Sequence, residues 1–324
     1  MPDSVQMSVV IVAGTQRANL PNLLYCLLHQ DVRDQLEIVV VDCGAPEAEP
    51  LPYAEDPALC VLRMSPSDDF EEALVAGIRA SRAPIVALLE EHCLVYPGWA
   101  RALLQAHQSG EWGAVAGEQR AGNAEIGFSA AEAVVRGGDL YAPMSPGECA
   151  MFDGHNSAFR RDALLGYGDD LARYIQAEPI LIWKMAQDGY RFYREPEARY
   201  LHLNETTLST NHRSYFHWNR NFGHMRATVF GWPWWKRLAF AAAIPLQPWK
   251  RWLSALFQMR HKDLHANVPN QLVALLLFHF AAAGMALGML FGPGSSPERF
   301  AYFERELIRP YGRAAHALLE AYET

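Results

Sequence analysis

The chain is poor in cysteine, with five in 324 residues: Cys26, Cys43, Cys60, Cys93 and Cys149. No two form a C-x-x-C pair and the count is odd, which argues against a disulfide framework and for a reducing compartment. Met1 to Ser8 lack the basic start and apolar core of a secretory signal, so the first part of the chain is expected to stay in the cytosol. Acid is missing from one long stretch, since residues 206–262 contain no Asp or Glu against nine Lys and Arg. Base-reading motifs are absent, and no nucleic-acid partner is expected. Half of the residues are apolar and a fifth charged, which excludes a disordered or collagen-like chain.

What is present divides near Glu205. Residues 1–205 carry 15 Lys and Arg against 30 Asp and Glu, whereas residues 206–324 carry 13 against 6. An acidic first part suits a domain that handles an anionic ligand through backbone dipoles or a metal rather than through a basic field. The expected units are therefore an α/β domain over 1–205 and a basic, Trp-rich helical region over 206–324.

Within the first unit, Ser8 to Gly14 reads as a buried strand entering a loop. Asn19 and Pro21 open a helix with Leu20, Leu23, Leu24, Leu27 and Leu28 on one face. A second strand, Leu36 to Val41, closes on Asp42. Asp69 and Glu72 are spaced as a capping box, and a helix then leads to the strand Pro84–Leu89. Further helices are expected over Pro97–His107, Ser129–Arg136 and Glu178–Gln187. Short strands are expected at Ala114–Ala116, Tyr190–Tyr193 and Ala198–His202, with an irregular region between Gly117 and Asp153. The alternation predicts a mixed, mainly parallel sheet with helices on both faces, which binds ligands beyond the carboxyl ends of its strands.

Glu90-Glu91-His92 ends one such strand. Three polar residues there are costly unless they meet solvent, partners or an ion. Carboxylates suit Mg2+ or Mn2+, and the imidazole tilts the choice toward Mn2+ or another transition ion. A solvated loop is the bland alternative.

Ser8–Gly14, Leu36–Gly44, the strand ending in Glu90-Glu91-His92, and Pro97-Gly98-Trp99 occur in the order seen in family 2 inverting glycosyltransferases, which this chain resembles over about residues 8–205. The resemblance implies a GT-A fold, a nucleoside-diphosphate sugar as donor, a saccharide or lipid-linked acceptor, and a divalent metal, Mn2+ or Mg2+. It puts Val12, Ala13 and Asp42 beside the donor nucleotide. The family's D-x-D falls on Glu90-Glu91-His92, giving Glu90 and Glu91 donor contacts and Glu90 and His92 the metal, with His202 completing the metal shell. Gly154 to Arg161 resembles the acceptor segment, implying His155 and Asn156 as acceptor contacts. Glu178 falls where the family's E-D pair lies and becomes the general base, with Asp153 in reserve. Two departures stand out: Glu and His replace the Asp residues of D-x-D, and Leu74 and Val75 stand where relatives carry Arg-Asn near the nucleotide. They support the competing reading, a non-catalytic membrane-associated scaffold or sugar-binding module.

The second unit holds six of the nine tryptophans between residues 206 and 262. Cationic, Trp-rich segments suit the headgroup layer of an anionic membrane, so residues 206–292 are expected to meet a membrane surface at the inner face of the cell membrane. Gln271 to Phe291 is uncharged and long enough to span. Basic residues on both flanks give no orientation, and a peripheral helical bundle is the preferred reading over a single span at 271–291. Gln247 to Trp252 has one residue too many for the Q-x-x-R-W of processive relatives. Single-sugar addition in surface-polysaccharide or glycolipid synthesis is therefore expected.

Overall fold

The computed structural model describes residues 5–66, 69–136, 141–262 and 266–323. Met1 to Ser4 of the N-terminal stretch, and residues 137–140 of the irregular region, lie outside them. One sheet organises the first half. Its parallel part consists of β1 (Met7–Ala13), β2 (Leu36–Asp42), β3 (Leu59–Arg63) and β4 (Ile85–Leu88). Every residue of β1 is buried, because the strand is hydrogen-bonded on both edges and covered on both faces. Alternation shows in the core: Val9 and Ile11 join one apolar cluster, Val10 and Val12 the other.

The sheet continues through β5 (Cys93–Val95), β6 (Trp112–Ala121), β7 (Gly147–Cys149), β8 (Ser157–Arg160) and β9 (Arg191–His202), in the order β3-β2-β1-β4-β8-β6-β9-β5, with β7 also on β9. β8 runs antiparallel to β4 and β6, β6 runs parallel to β9, and β5 and β7 run antiparallel to β9. Helices α1 (Leu20–Leu28) and α3 (Trp99–Gln108) bury Leu23, Leu24 and Trp99 on one face. On the other lie α2 (Phe70–Ala80), α5 (Arg161–Leu165), α6 (Leu171–Ile175) and α7 (Glu178–Gln187), which bury Ile78, Leu164, Leu171 and Met185. Between β6 and β7 runs α4 (Ser129–Arg136). The mixed sheet with helices on both faces and a helical C-terminal region is thus the expected fold.

Three local expectations change. The two strands expected at Tyr190–Tyr193 and Ala198–His202 are one strand, β9. Its register against β6 slips between Gly117 and Glu118, which absorbs Pro196 in a bulge instead of a turn. The capping box at Asp69 and Glu72 does not form: both carboxylates are exposed to water, and Asp69 makes no side-chain cap hydrogen bond. Asn19 caps nothing either. Its side-chain amide donates to Arg309 O at 2.9 Å and accepts from Arg309 N at 3.2 Å.

The C-terminal half comprises α8 (Leu208–Val229), α9 (Trp234–Ala243), α10 (Gln247–Gln258), α11 (Val268–Phe291), α12 (Ser296–Glu306) and α13 (Arg313–Glu323). α8 and α11 cross closely because Gly284 and Gly288 lie against the backbone of Phe216 and Arg220, where a Cβ would collide with a carbonyl oxygen. α11 alone among the described residues is long and apolar enough to cross a membrane. One of its faces, including Ala274, Leu277, Ala281 and Met285, is buried in the protein. Another exposes Leu272, Leu276, Leu290 and Phe291. The chain then returns to the sheet: Ala315 and Leu318 of α13 enter the α1/α3 core, and the Tyr322 hydroxyl donates to Val95 O at 2.9 Å.

Candidate functional site

The polar residues collect at the carboxyl ends of the parallel strands. β4 ends one residue before Leu89, and Glu90, Glu91 and His92 follow, all buried. Glu90 is the centre. Its Oε1 is 3.3 Å from His155 Nδ1, and its Oε2 accepts from Asn156 Nδ2 at 2.8 Å. Asn156 adopts the left-handed backbone that Asn tolerates (φ 68°), which also lets its Oδ1 accept from the Glu90 N–H at 3.2 Å. The expected acceptor residue Asn156 therefore faces Glu90 from both ends of its amide.

Two histidines close on the same carboxylate. His202, the last residue of β9, is brought beside Cys93 by the β5/β9 pairing, and its Nε2 lies 3.4 Å from Glu90 Oε2. His92 Nε2 lies 3.6 Å from that oxygen and 3.1 Å from His202 Nε2. Ligand atoms about 2.1 Å from one ion lie about 3.4 Å apart in a tetrahedral shell and about 3.0 Å apart in an octahedral one. The three separations of 3.1, 3.4 and 3.6 Å are compatible with donor atoms sharing one small ion. His202 Nδ1 is 2.6 Å from Asn204 Oδ1, an acceptor only, so Nδ1 carries the proton and Nε2 offers its lone pair. Further donor atoms lie within 4.8 Å of members of this set, on Cys93 and on Glu304 of α12.

The charges are separated by environment. Burial depresses both His92 and His202, aided for each by nearby arginine. Burial would raise Glu90, but the surrounding His92, His155 and Arg136 override it and hold the carboxyl well below the usual range. His155 goes the other way. Burial disfavours its charge, yet Glu178 and Glu90 carry its pKa up to about 10. Glu91 is raised well above normal by burial, with Arg309 and the Gly14 backbone offsetting only part.

Glu178 opens α7 and folds back on the Gly154–His155 loop. Its Oε2 accepts from Gly154 N at 3.1 Å and from His155 N at 3.4 Å, and its Oε1 lies 3.3 Å from His155 Nδ1. Asp153 lies alongside, its pKa raised to about 7 by burial and by the Glu178 charge, with Arg136 3.4 Å away. Both line a cavity of about 430 Å3 between the sheet and the C-terminal helices, walled also by Trp218, Arg251 and Phe300. On the other side of Glu90, Val12, Leu74 and His92 line a space of only about 10 Å3. His155 borders both, its buried Nε2 without a partner. Asp42, at the end of β2, is buried and paired with Arg17 and Arg63. Ala13 is buried at the end of β1.

Sequence reasoning missed Arg136, Glu304 and Arg309. Arg136 reaches Glu90, Asp153 and Glu132 at 4.0, 3.4 and 3.8 Å, and Arg309 reaches Glu304 and Glu205 at 3.5 and 3.9 Å. Cys93 directly follows the triplet and was within reach of a local reading. The others had no local signal.

Comparison with known proteins follows the same part of the chain. Residues 8–168 match the model of glycosyl transferase family 2. No curated protein matches. Among solved structures, the chain is similar to GalNAc-T7 crystallised with UDP, GalNAc and Mn2+, at 16% identity and a TM-score of 0.49. That similarity covers 61% of this chain and 43% of the GalNAc-T7 chain, less than half of its length.

Proposed function

We propose, from the family 2 glycosyltransferase match over residues 8–168, that the chain moves a sugar from a nucleoside-diphosphate sugar to an acceptor hydroxyl with inversion. The observation that carries the reading is the triangle of Glu90 Oε2, His92 Nε2 and His202 Nε2, with sides of 3.4, 3.6 and 3.1 Å, beside a cavity edged by two carboxylates. One anionic carboxylate and two neutral imidazoles fit a divalent transition ion such as Mn2+ better than Mg2+. Such an ion supplies charge neutralisation for the departing diphosphate.

The rest falls to the chain. Glu178 takes the proton of the acceptor hydroxyl as that oxygen bonds to the anomeric carbon and the bond to the diphosphate breaks. Its Oε1 keeps a lone pair for this beyond the His155 contact. Charged His155 offers its unpartnered Nε2–H to an acceptor oxygen. Asp42 and the loop after Ala13 stand beside the nucleotide, with Glu90 and Glu91 toward the sugar. The acceptor is a saccharide or lipid-linked sugar, in surface-polysaccharide or glycolipid synthesis, and residues 1–205 are the catalytic unit. Residues 206–292 meet the membrane: Trp234, Trp235, Leu246, Trp249, Leu253 and Phe257 are exposed on a segment that lacks acid.

Calorimetry with Mn2+ and a panel of UDP-, GDP- and dTDP-sugars, followed by a turnover assay with any binder, tests the reading. Binding of one donor class, with hydrolysis or transfer abolished by Glu178→Gln, supports it. One observation favours the competing reading of a non-catalytic scaffold: about 10 Å3 of free space beside Val12 and Leu74 admits no nucleotide. Failure of every donor to bind would favour that alternative.

A further inference from the structure

Helix α12 ends against the loop that leaves β1. Glu306 Oε1 accepts from the Thr15 N–H at 3.1 Å, and its Oε2 accepts from the Gln16 N–H at 3.3 Å. Arg305 packs its backbone on Gly14, where a Cβ would run into the Arg305 carbonyl oxygen. The turn beyond is tied down as well: Asn19 exchanges two hydrogen bonds with Arg309, and the Tyr311 hydroxyl donates to Asn19 O at 3.3 Å. Residues 14–19 form the loop leaving β1, the switch-point position at which open α/β sheets receive anions on backbone N–H groups.

Two residues earlier on the same helix, Glu304 is buried and turned toward Glu90 and His92. Its carboxylate, a Glu90 oxygen and a His92 nitrogen lie within 4.8 Å of one another. The space they enclose, about 10 Å3, has room for a single water-sized particle at most. His92 Nδ1, also buried, has no partner. A small-molecule site needs about 300 Å3 or more. A space of that size does not admit a nucleoside diphosphate.

We propose that Glu304 to Glu306 form a pseudo-donor segment: their carboxylates hold the two anion positions of the donor diphosphate, so donor and α12 compete for one place. Glu304 stands beside Glu90 and His92, where a diphosphate oxygen would meet the proposed cation, and Glu306 on the Thr15–Gln16 amides, with Arg309 fastening Glu304 at 3.5 Å. This rests on the donor-transferase reading above. It accounts for the filled donor side without loss of function, because the segment is attached by hydrogen bonds and ion pairs that a doubly charged diphosphate can replace. A nucleotide then binds with its intrinsic affinity multiplied by the fraction of molecules in which α12 is released.

The test measures UDP, GDP and dTDP affinity with Mn2+ present, for the full chain and for Glu306→Ala, with Glu306→Gln as the milder variant. Hydrogen exchange over residues 296–312 is followed in the same samples. Competition predicts nucleotide binding about tenfold tighter in Glu306→Ala, intermediate in Glu306→Gln, and faster exchange over 296–312 in the parent chain when nucleotide is added. Equal affinities, with exchange over 296–312 unmoved by a bound nucleotide, would overturn the competition and leave donor binding standing. If no nucleotide binds any of the three although 296–312 has lost protection in the variants, the competition and the donor reading both fall.

Discussion

His92 and His202 face each other through their Nε2 atoms at 3.1 Å, and the outer nitrogen of only one of them is held. Asn204 fixes His202 with Nδ1 protonated, which commits its Nε2 to accept or to ligate. Asn204→Leu removes that constraint while leaving all three proposed ligands in place. The expected loss is roughly 10- to 100-fold in Mn2+ affinity by calorimetry. An unchanged affinity would mean that no ion sits between the two rings.

Glu178 and Asp153 compete for the part of base, and pH separates them. Asp153, raised to about 7, gains its charge only near neutrality, so a reaction driven by it loses kcat/KM below about pH 7. We expect Glu178→Gln to lower kcat by about 10²-fold or more and Asp153→Asn to cost much less. The opposite ranking, with an acid limb near pH 7 that disappears in Asp153→Asn, would transfer the role to Asp153.

Glu132 makes a prediction about stability. Burial and the neighbouring Glu205 carry its pKa up to about 8, against 4.5 for an unperturbed Glu. The folded chain therefore binds a proton that the unfolded chain has released. That contribution is complete below about pH 4.5 and lost as pH rises to about 8. Glu132→Gln keeps an acceptor for the Glu205 N–H and removes the titration. Thermal unfolding in the presence of a chelator should show Tm falling from pH 5 to pH 8 in the parent, and a shallower fall in Glu132→Gln. Parallel curves would contradict the assignment.

What could be read from sequence follows from how local each signal is. α4 and α7 lie where expected, Ser129–Arg136 and Glu178–Gln187, because periodic apolar residues and a Pro after Glu178 act within a few residues. β9 was misread because Pro196 between two glutamates looks like a turn, and only pairing with β6 keeps the strand continuous. The triplet after β4 was legible from its position at a strand end. Arg136, Glu304 and Arg309 were not, since each reaches Glu90 or its neighbours through packing of α4 and of the C-terminal segment. An acidic helix end such as Glu304–Glu306 resembles any solvated surface until the fold turns it inward.

The exposed aromatic surface gives the last test. Trp234 is 74% exposed, Leu246 75% and Phe257 62%, on or between α9 and α10, with Lys236 and Lys250 on the same segment. Burying a large apolar side chain gains about 1.5–3 kcal/mol, and each cation near an anionic surface adds about 1 kcal/mol. Replacing Trp234, Trp249 and Phe257 by Ser should therefore reduce partition onto vesicles rich in anionic lipid by about 100-fold or more, while thermal stability changes little because none of the three is buried. Raised salt should weaken the parent's binding through its cations and leave an apolar remainder. If the parent fails to sediment with such vesicles but self-associates in their absence, the surface is an interface between copies. The membrane assignment of residues 206–292 would then be wrong.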